Sequence, residues 1–154
     1  MASNNTFGGD FTSSNIKTYQ AGVLQAAAHR AVTKLTNKAL KKFNISAMQW
    51  FIIGTVLDAG DKGIRSTDLA KIMGTNLPFL TNTIAMLASK GMLQKESHGT
   101  DNRASLISVA PSFLAQSARI ETELREVLRN SIYSQVTPAQ LSTYIMVLSK
   151  LRQA

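Results

Sequence analysis

The sequence predicts a mainly α fold with a minor β component (α+β), in the order helix, helix, short strand, helix, helix, strand, strand, helix, helix. Three observations carry that reading. Apolar residues recur at three- to four-residue spacing through most of the chain, and cap and turn residues punctuate those runs. Period-two alternation is confined to two stretches near residues 92–97 and 104–109. At 154 residues, 44% of them hydrophobic, the chain fits a single domain, or one with an oligomerisation arm, and can bury a real core.

Residues 1–14, MASNNTFGGDFTSS, are polar and non-periodic and read as a loose tail. Residues 15–44 follow as one long helix, with Ile16, Tyr19, Val23, Ala27, Ala31 and Leu35 on one face. A helix to Phe43 would run roughly 40 Å at 1.5 Å per residue, longer than a small domain needs, so it is expected to pack against another chain. Ser46 is an N-cap for an apolar helix over 47–59, and Gly60–Gly63 is turn chemistry. Ile64-Arg65 suits a two-residue strand, and Ser66 is expected to cap a short helix to Met73.

Gly74-Thr75-Asn76 breaks that helix. The next runs over 77–90 and is stopped by Gly91. Strands over 92–97 and 104–109 form a hairpin. Pro111 fits a first helical position and opens a helix to about Tyr133; Thr137-Pro138 repeats the device for a last helix to about Leu151. The sequence thus divides into a tail (1–14), an N-terminal helix (15–44), a central lobe (45–109) and C-terminal helices (110–154).

Composition removes several functions. With no cysteine there is no disulfide, thiolate catalysis, cysteine redox sensing or Cys-ligated zinc. The two histidines, His29 and His98, cannot build a His-rich metal centre, and neither a nucleophile motif nor a glycine-rich cofactor loop is present. An enzyme, a metal and a cofactor are therefore not expected. No apolar run reaches the roughly 20 residues of a membrane span, and residues 1–15 lack the apolar core of a signal peptide, so the expected location is cytoplasmic. Seventeen Lys and Arg against nine Asp and Glu give a net charge of +8, which favours a polyanionic partner, nucleic acid being the commonest.

The centre of the chain points the same way. Ala70 precedes Gly74 by four residues: the small residue lets two helices approach, and glycine accepts the left-handed turn between them. In the second helix Leu77, Leu80, Ile84 and Leu87 share one face and are expected to pack inward. Thr75, Pro78, Asn82, Ala85 and Ser89 fall opposite, with Phe79 and Thr81 beside them. A small, polar, nearly uncharged outer face suits a helix that reads base edges in a major groove.

These residues carry a resemblance. S-T-D-L-A at Ser66–Ala70, T-x-x-I-x-x-L at Thr81–Leu87, K-G-M-L at Lys90–Leu93 and D-N-R at Asp101–Arg103 resemble the MarR family of bacterial and archaeal transcription regulators. The match covers about residues 45–109, and the Asp-x-Arg of the hairpin is its most specific part. The resemblance implies a winged helix-turn-helix with a two-stranded wing, flanked by N- and C-terminal dimerisation helices. It implies a homodimer on double-stranded DNA, probing a near-palindromic operator with recognition helices about 34 Å apart. It also implies that Arg103 reaches the minor groove from the wing and that Asp101 holds it by a salt bridge.

Base contacts are then expected from Thr75, Pro78, Phe79, Thr81 and Asn82, and backbone contacts from Arg65, Lys71, Lys95, Asp101 and Arg103. Family members often place Arg after the recognition-helix Thr, where this chain has Asn82, an adenine-pairing side chain; Pro78 and Phe79 suit thymine methyl groups. Many family members release DNA when a small aromatic acid or other anion binds between arm and lobe. Tyr19, His29, Arg30, Trp50 and Phe51 are the candidate effector-lining residues here. The leading expectation is a dimeric, sequence-specific regulator, most simply a repressor. The alternative is a winged-helix dimer acting as a protein-interaction or ligand-binding module without specific DNA readout.

Overall fold

The computed structural model describes residues 15–96 and 105–153. Helix α1 spans Thr18–Leu40 and runs into a single 3₁₀ turn at Lys41–Phe43. The long helix therefore stops three residues earlier than periodicity suggests, and Asn44, with φ 56° and ψ 38°, turns the chain in the left-handed region. Ile16, Tyr19 and Val23 of the predicted apolar stripe are all about half exposed or more in the single chain. Only the C-terminal end of α1 is buried, at Thr36 and Leu40.

Helix α2 (Ala47–Asp58) begins on a complete capping box: the Ser46 side chain accepts from the Gln49 N–H, and the Gln49 side chain accepts from the Ser46 N–H. Apolar on nearly every side, it is the central post of the core. Ile52, Ile53 and Val56 are fully buried against α1, the helix-turn-helix and the sheet. Each such side chain contributes on the order of 1.5–3 kcal/mol of burial free energy.

Strand β1 (Ile64–Arg65) leads directly into α3 (Ser66–Met73), and α4 (Leu77–Ser89) follows. Ser66 is not the cap that the sequence suggests. The extended Arg65 holds the N-cap position, and no side chain caps this end, because the chain passes from strand to helix without an intervening loop. Gly74 (φ 61°, ψ 35°) closes α3 as expected, with the Thr75 N–H donating to the Ala70 carbonyl.

Strands β2 (Leu93–Glu96) and β3 (Leu106–Val109) are antiparallel, and β1 adds to the far side of β3, giving a three-stranded sheet in the order β1-β3-β2. The two-stranded wing is thus part of a larger sheet. Gly63 makes this possible: at φ 68° and ψ 179°, it lies so close to β3 that a Cβ there would sit 2.9 Å from the Ile107 carbonyl oxygen.

Pro111 opens a 3₁₀ turn (Pro111–Phe113) before α5 (Leu114–Asn130), which ends three residues before Tyr133, where Ser131 leaves helical geometry. Helix α6 (Pro138–Leu151) starts on a second capping box, made by Thr137 and Gln140. It buries none of its residues in the single chain. Helix α5 packs along α1, and Ile120 and Leu124 join the core through it. Among the described residues no helix is long and apolar enough to cross a membrane.

Candidate nucleic-acid interface

Helix α4 is held by three buried side chains, Leu80, Ile84 and Leu87, at exposures of 0–3%, and the helix packs against α3 and β2. Leu77, expected in the same row, is instead exposed, and Thr83 takes a buried place. Leu77 is the first helical residue, and its side chain leans back past the helix start, where nothing covers it. Thr83 tolerates burial because its hydroxyl donates to the Phe79 carbonyl at 3.0 Å.

The opposite face of α4 is free. Pro78, Phe79, Thr81, Asn82, Ala85 and Ser89 are all exposed, Phe79 at 43%. Thr75 lies in the turn and is only half exposed. Asn76 caps the helix, its side-chain oxygen accepting from the Phe79 N–H at 2.9 Å. Thr81 donates its hydroxyl to the Leu77 carbonyl at 2.8 Å. Among the described residues no hydrogen bond occupies the Asn82 amide. Helix α4 contains no charged residue, and Lys90 just beyond it is engaged, donating to the Asn44 carbonyl at 2.9 Å.

Arg65, Lys71 and Lys95 are exposed, and none forms an ion pair among the described residues. Strand register separates two of them. Arg65 pairs with Leu106 and Lys95 with Ile107, so they fall on opposite faces of the sheet. Asp101 and Arg103 lie outside the described residues.

A second feature is a cavity that no residue of α4 lines. A mostly apolar cavity of about 820 Å³ lies between α1, α2, α5 and the start of α6. Of the five candidate effector-lining residues Trp50 and Phe51 line it; Tyr19, His29 and Arg30 do not, and stand exposed along α1. The cavity also brings in residues that sequence reasoning missed. Thr36, 1% exposed, has a hydroxyl without a partner among the described residues, and Arg125 and Arg129 enter from α5. Arg125 is paired with Glu121 at 2.9 Å, whereas Arg129 has no acidic partner among the described residues. Burial, and after it the neighbouring Tyr144 phenol, push the Tyr133 hydroxyl at the cavity wall above its ordinary pKa.

No protein-family model and no curated protein matches the chain. Solved structures do. A cysteine-to-serine mutant of MarR from E. coli, complexed with operator DNA, superposes with a TM-score of 0.71 at 20% identity, over 88% of this chain and 99% of that one. CouR from Rhodococcus jostii, bound to p-coumaroyl-CoA, gives 0.74 at 14% identity over 86% and 92%. AbsC from Streptomyces coelicolor, a MarR family transcriptional regulator, gives 0.71 at 16% identity over 95% and 97%. Element order, the three-stranded sheet and these superpositions agree that the chain has the winged-helix fold of the MarR-family transcriptional regulators.

Proposed function

We propose that the chain is a MarR-family transcription regulator that binds double-stranded DNA as a homodimer. In this reading it acts as a repressor by occupying a near-palindromic operator. The observation that carries the reading is the outer face of α4: exposed, uncharged, built of Pro78, Phe79, Thr81, Asn82, Ala85 and Ser89, and mounted on a buried three-residue anchor. A face of that kind presents amide and apolar groups that match base edges in a major groove. Arg65, Lys71 and Lys95, which form no ion pair among the described residues, are the candidates for phosphate contacts, with Arg65 and Lys95 reaching out from opposite faces of the sheet, and Arg103 extends into the minor groove from the wing with Asp101 as its brace.

Dimerisation is supported by what a single chain leaves uncovered. Ile145, Met146 and Leu151 of α6 are each more than half exposed, and so is Tyr19 of α1. Apolar exposure on this scale, gathered on the terminal helices, fits burial against a second copy (residues 15–44 and 110–154 forming the arms). A near-palindromic operator follows from two-fold symmetry.

The cavity beside Trp50 and Phe51 is read as an effector site that couples arm to lobe. An apolar anion would find aromatic walls, the unused Thr36 hydroxyl and the Arg129 guanidinium. Trp50 is the one tryptophan in the sequence, so its emission reports directly on this site.

Selection from a random duplex pool with purified protein at two salt concentrations tests the regulator reading. The expected result is an enriched inverted repeat with half-sites about one turn, roughly 34 Å, apart. Salt-steep binding with no enriched motif would mean that the basic surface holds DNA without reading it, and absence of binding would favour the interaction-module alternative.

A further inference from the structure

The hydrogen-bond inventory of α4 restricts what its outer face can recognise. In the major groove, guanine is read by Arg or Lys and cytosine by Asp or Glu, whereas adenine pairs bidentately with Asn or Gln and the thymine methyl group meets apolar surface. Helix α4, LPFLTNTIAMLAS, has none of the four charged types. Two asparagines are near enough to serve adenine, and the structure separates them. Bidentate pairing needs both the amide oxygen and the amide nitrogen. The Asn76 oxygen is committed to capping α4, while Asn82 has both groups available on an exposed face. The Thr81 and Ser89 hydroxyl protons are spent on the Leu77 and Met86 carbonyls at 2.8 and 2.7 Å, so neither side chain has a free donor.

The apolar partner is equally confined. Phe79 stands 43% exposed at the first turn of α4, with Pro78 beside it. From Phe79 to Asn82 the helix climbs about 4.5 Å and turns about 60° away from alignment. That is close to one base-pair step of about 3.4 Å. The two side chains are therefore placed to meet neighbouring base pairs.

Resting on the regulator reading above, we propose that each lobe reads adjacent A·T pairs in the major groove. Asn82 pairs with adenine N6 and N7, and the Phe79 ring, backed by Pro78, covers the C5-methyl group of the thymine in the neighbouring step. Half-site specificity is thus for A·T pairs and comes without charge, and the salt dependence of binding belongs to other residues.

The test uses the full-length protein and the duplex obtained by selection, with fluorescence anisotropy as the readout. Each thymine is replaced in turn by uracil, which lacks only the methyl group, and each adenine by 7-deaza-adenine, which lacks the N7 acceptor. One thymine per half-site is expected to weaken binding about fourfold on losing its methyl group. The adenine next to it is expected to cost about fivefold on losing N7. Phe79→Ala should abolish the uracil effect and leave the 7-deaza effect, and Asn82→Ala should do the reverse. Both positions are exposed, so circular dichroism is expected to be unchanged. Salt slopes of the two variants should equal that of the parent. A selected half-site of G·C pairs, or uniform indifference to both base analogues, overturns this inference while leaving the regulator reading in place. Failure to enrich any duplex overturns both.

Discussion

Gly63→Ala separates two effects that glycine substitutions usually mix. Gly63 and Gly74 both have positive φ, 68° and 61°. At Gly74 the backbone is in the ordinary left-handed region, and an added Cβ would meet nothing within 4 Å. Gly74→Ala should therefore cost only the conformational term, about 1–2 kcal/mol. At Gly63 the ψ of 179° places the residue in a region that side chains scarcely enter, worth about 1–3 kcal/mol of strain. There the new methyl would also press on the Ile107 carbonyl at 2.9 Å, which is backbone and cannot swing aside. Strand β1 is two residues long and pairs only through Ile64–Ile107 and Arg65–Leu106, so relief means losing part of that ladder, about another 1 kcal/mol. The total is about 2–4 kcal/mol. With a urea m-value of about 2 kcal/mol/M, the midpoint should drop by about 1–2 M, roughly twice the Gly74→Ala shift. Equal midpoints for the two variants would refute the steric argument.

Four further outcomes are expected, the first resting on the regulator reading and the other three on the described residues. Arg103→Ala is expected to weaken operator binding at least about tenfold without dissociating the dimer, checked by anisotropy and sedimentation; unchanged affinity would take the wing out of the mechanism. Ile145→Asp places a charge on the uncovered face of α6 and should shift sedimentation from dimer to monomer at micromolar concentration. Thr36→Val removes a buried hydroxyl that has no partner and should raise stability by up to about 1 kcal/mol, while Trp50 emission loses its response to any cavity ligand that used the hydroxyl. Hydrogen bonds from Lys42 and then Arg119 hold the Glu123 carboxyl below its ordinary pKa, so this pairing stabilises the fold above the usual carboxylate range and fades as the pH falls through the lowered value. The melting-temperature difference between the parent and Glu123→Gln should accordingly shrink from about pH 6 to about pH 3; a constant difference would deny the pairing its role.

Much of the fold is legible in short stretches of sequence because the signals are local. Ser46 and Thr137 cap where they were read to, Gly74 and Gly91 turn left-handed, and Leu80, Ile84 and Leu87 point inward at helical spacing. Non-local arrangements are not legible in this way. β1 joins β3 across more than forty residues, which no periodicity reports, and without that pairing Ser66 reads as a cap after a loop. The end of α5 is hidden for another reason: Asn130 and Ser131 carry no glycine or proline to announce the break. The same divide runs through the sites. The exposed face of α4 follows from its own winding, whereas the cavity collects Thr36, Trp50 and Arg129 from three separate helices.

The corner between α1 and α2 has a mechanical consequence. The chain reverses there through one left-handed residue, Asn44, whose carbonyl is gripped by Lys90 at the end of α4, while the Asn37 side chain on α1 accepts from the Ala47 N–H at 2.7 Å. A joint this short, pinned from both sides, transmits rotation where a flexible linker would absorb it. In the dimer proposed above, the crossing angle of the arms would then set how far apart the two lobes stand. On the regulator reading, substitutions at Asn37 or Lys90 should change the half-site spacing that the proposed dimer prefers and leave untouched the bases that each lobe selects.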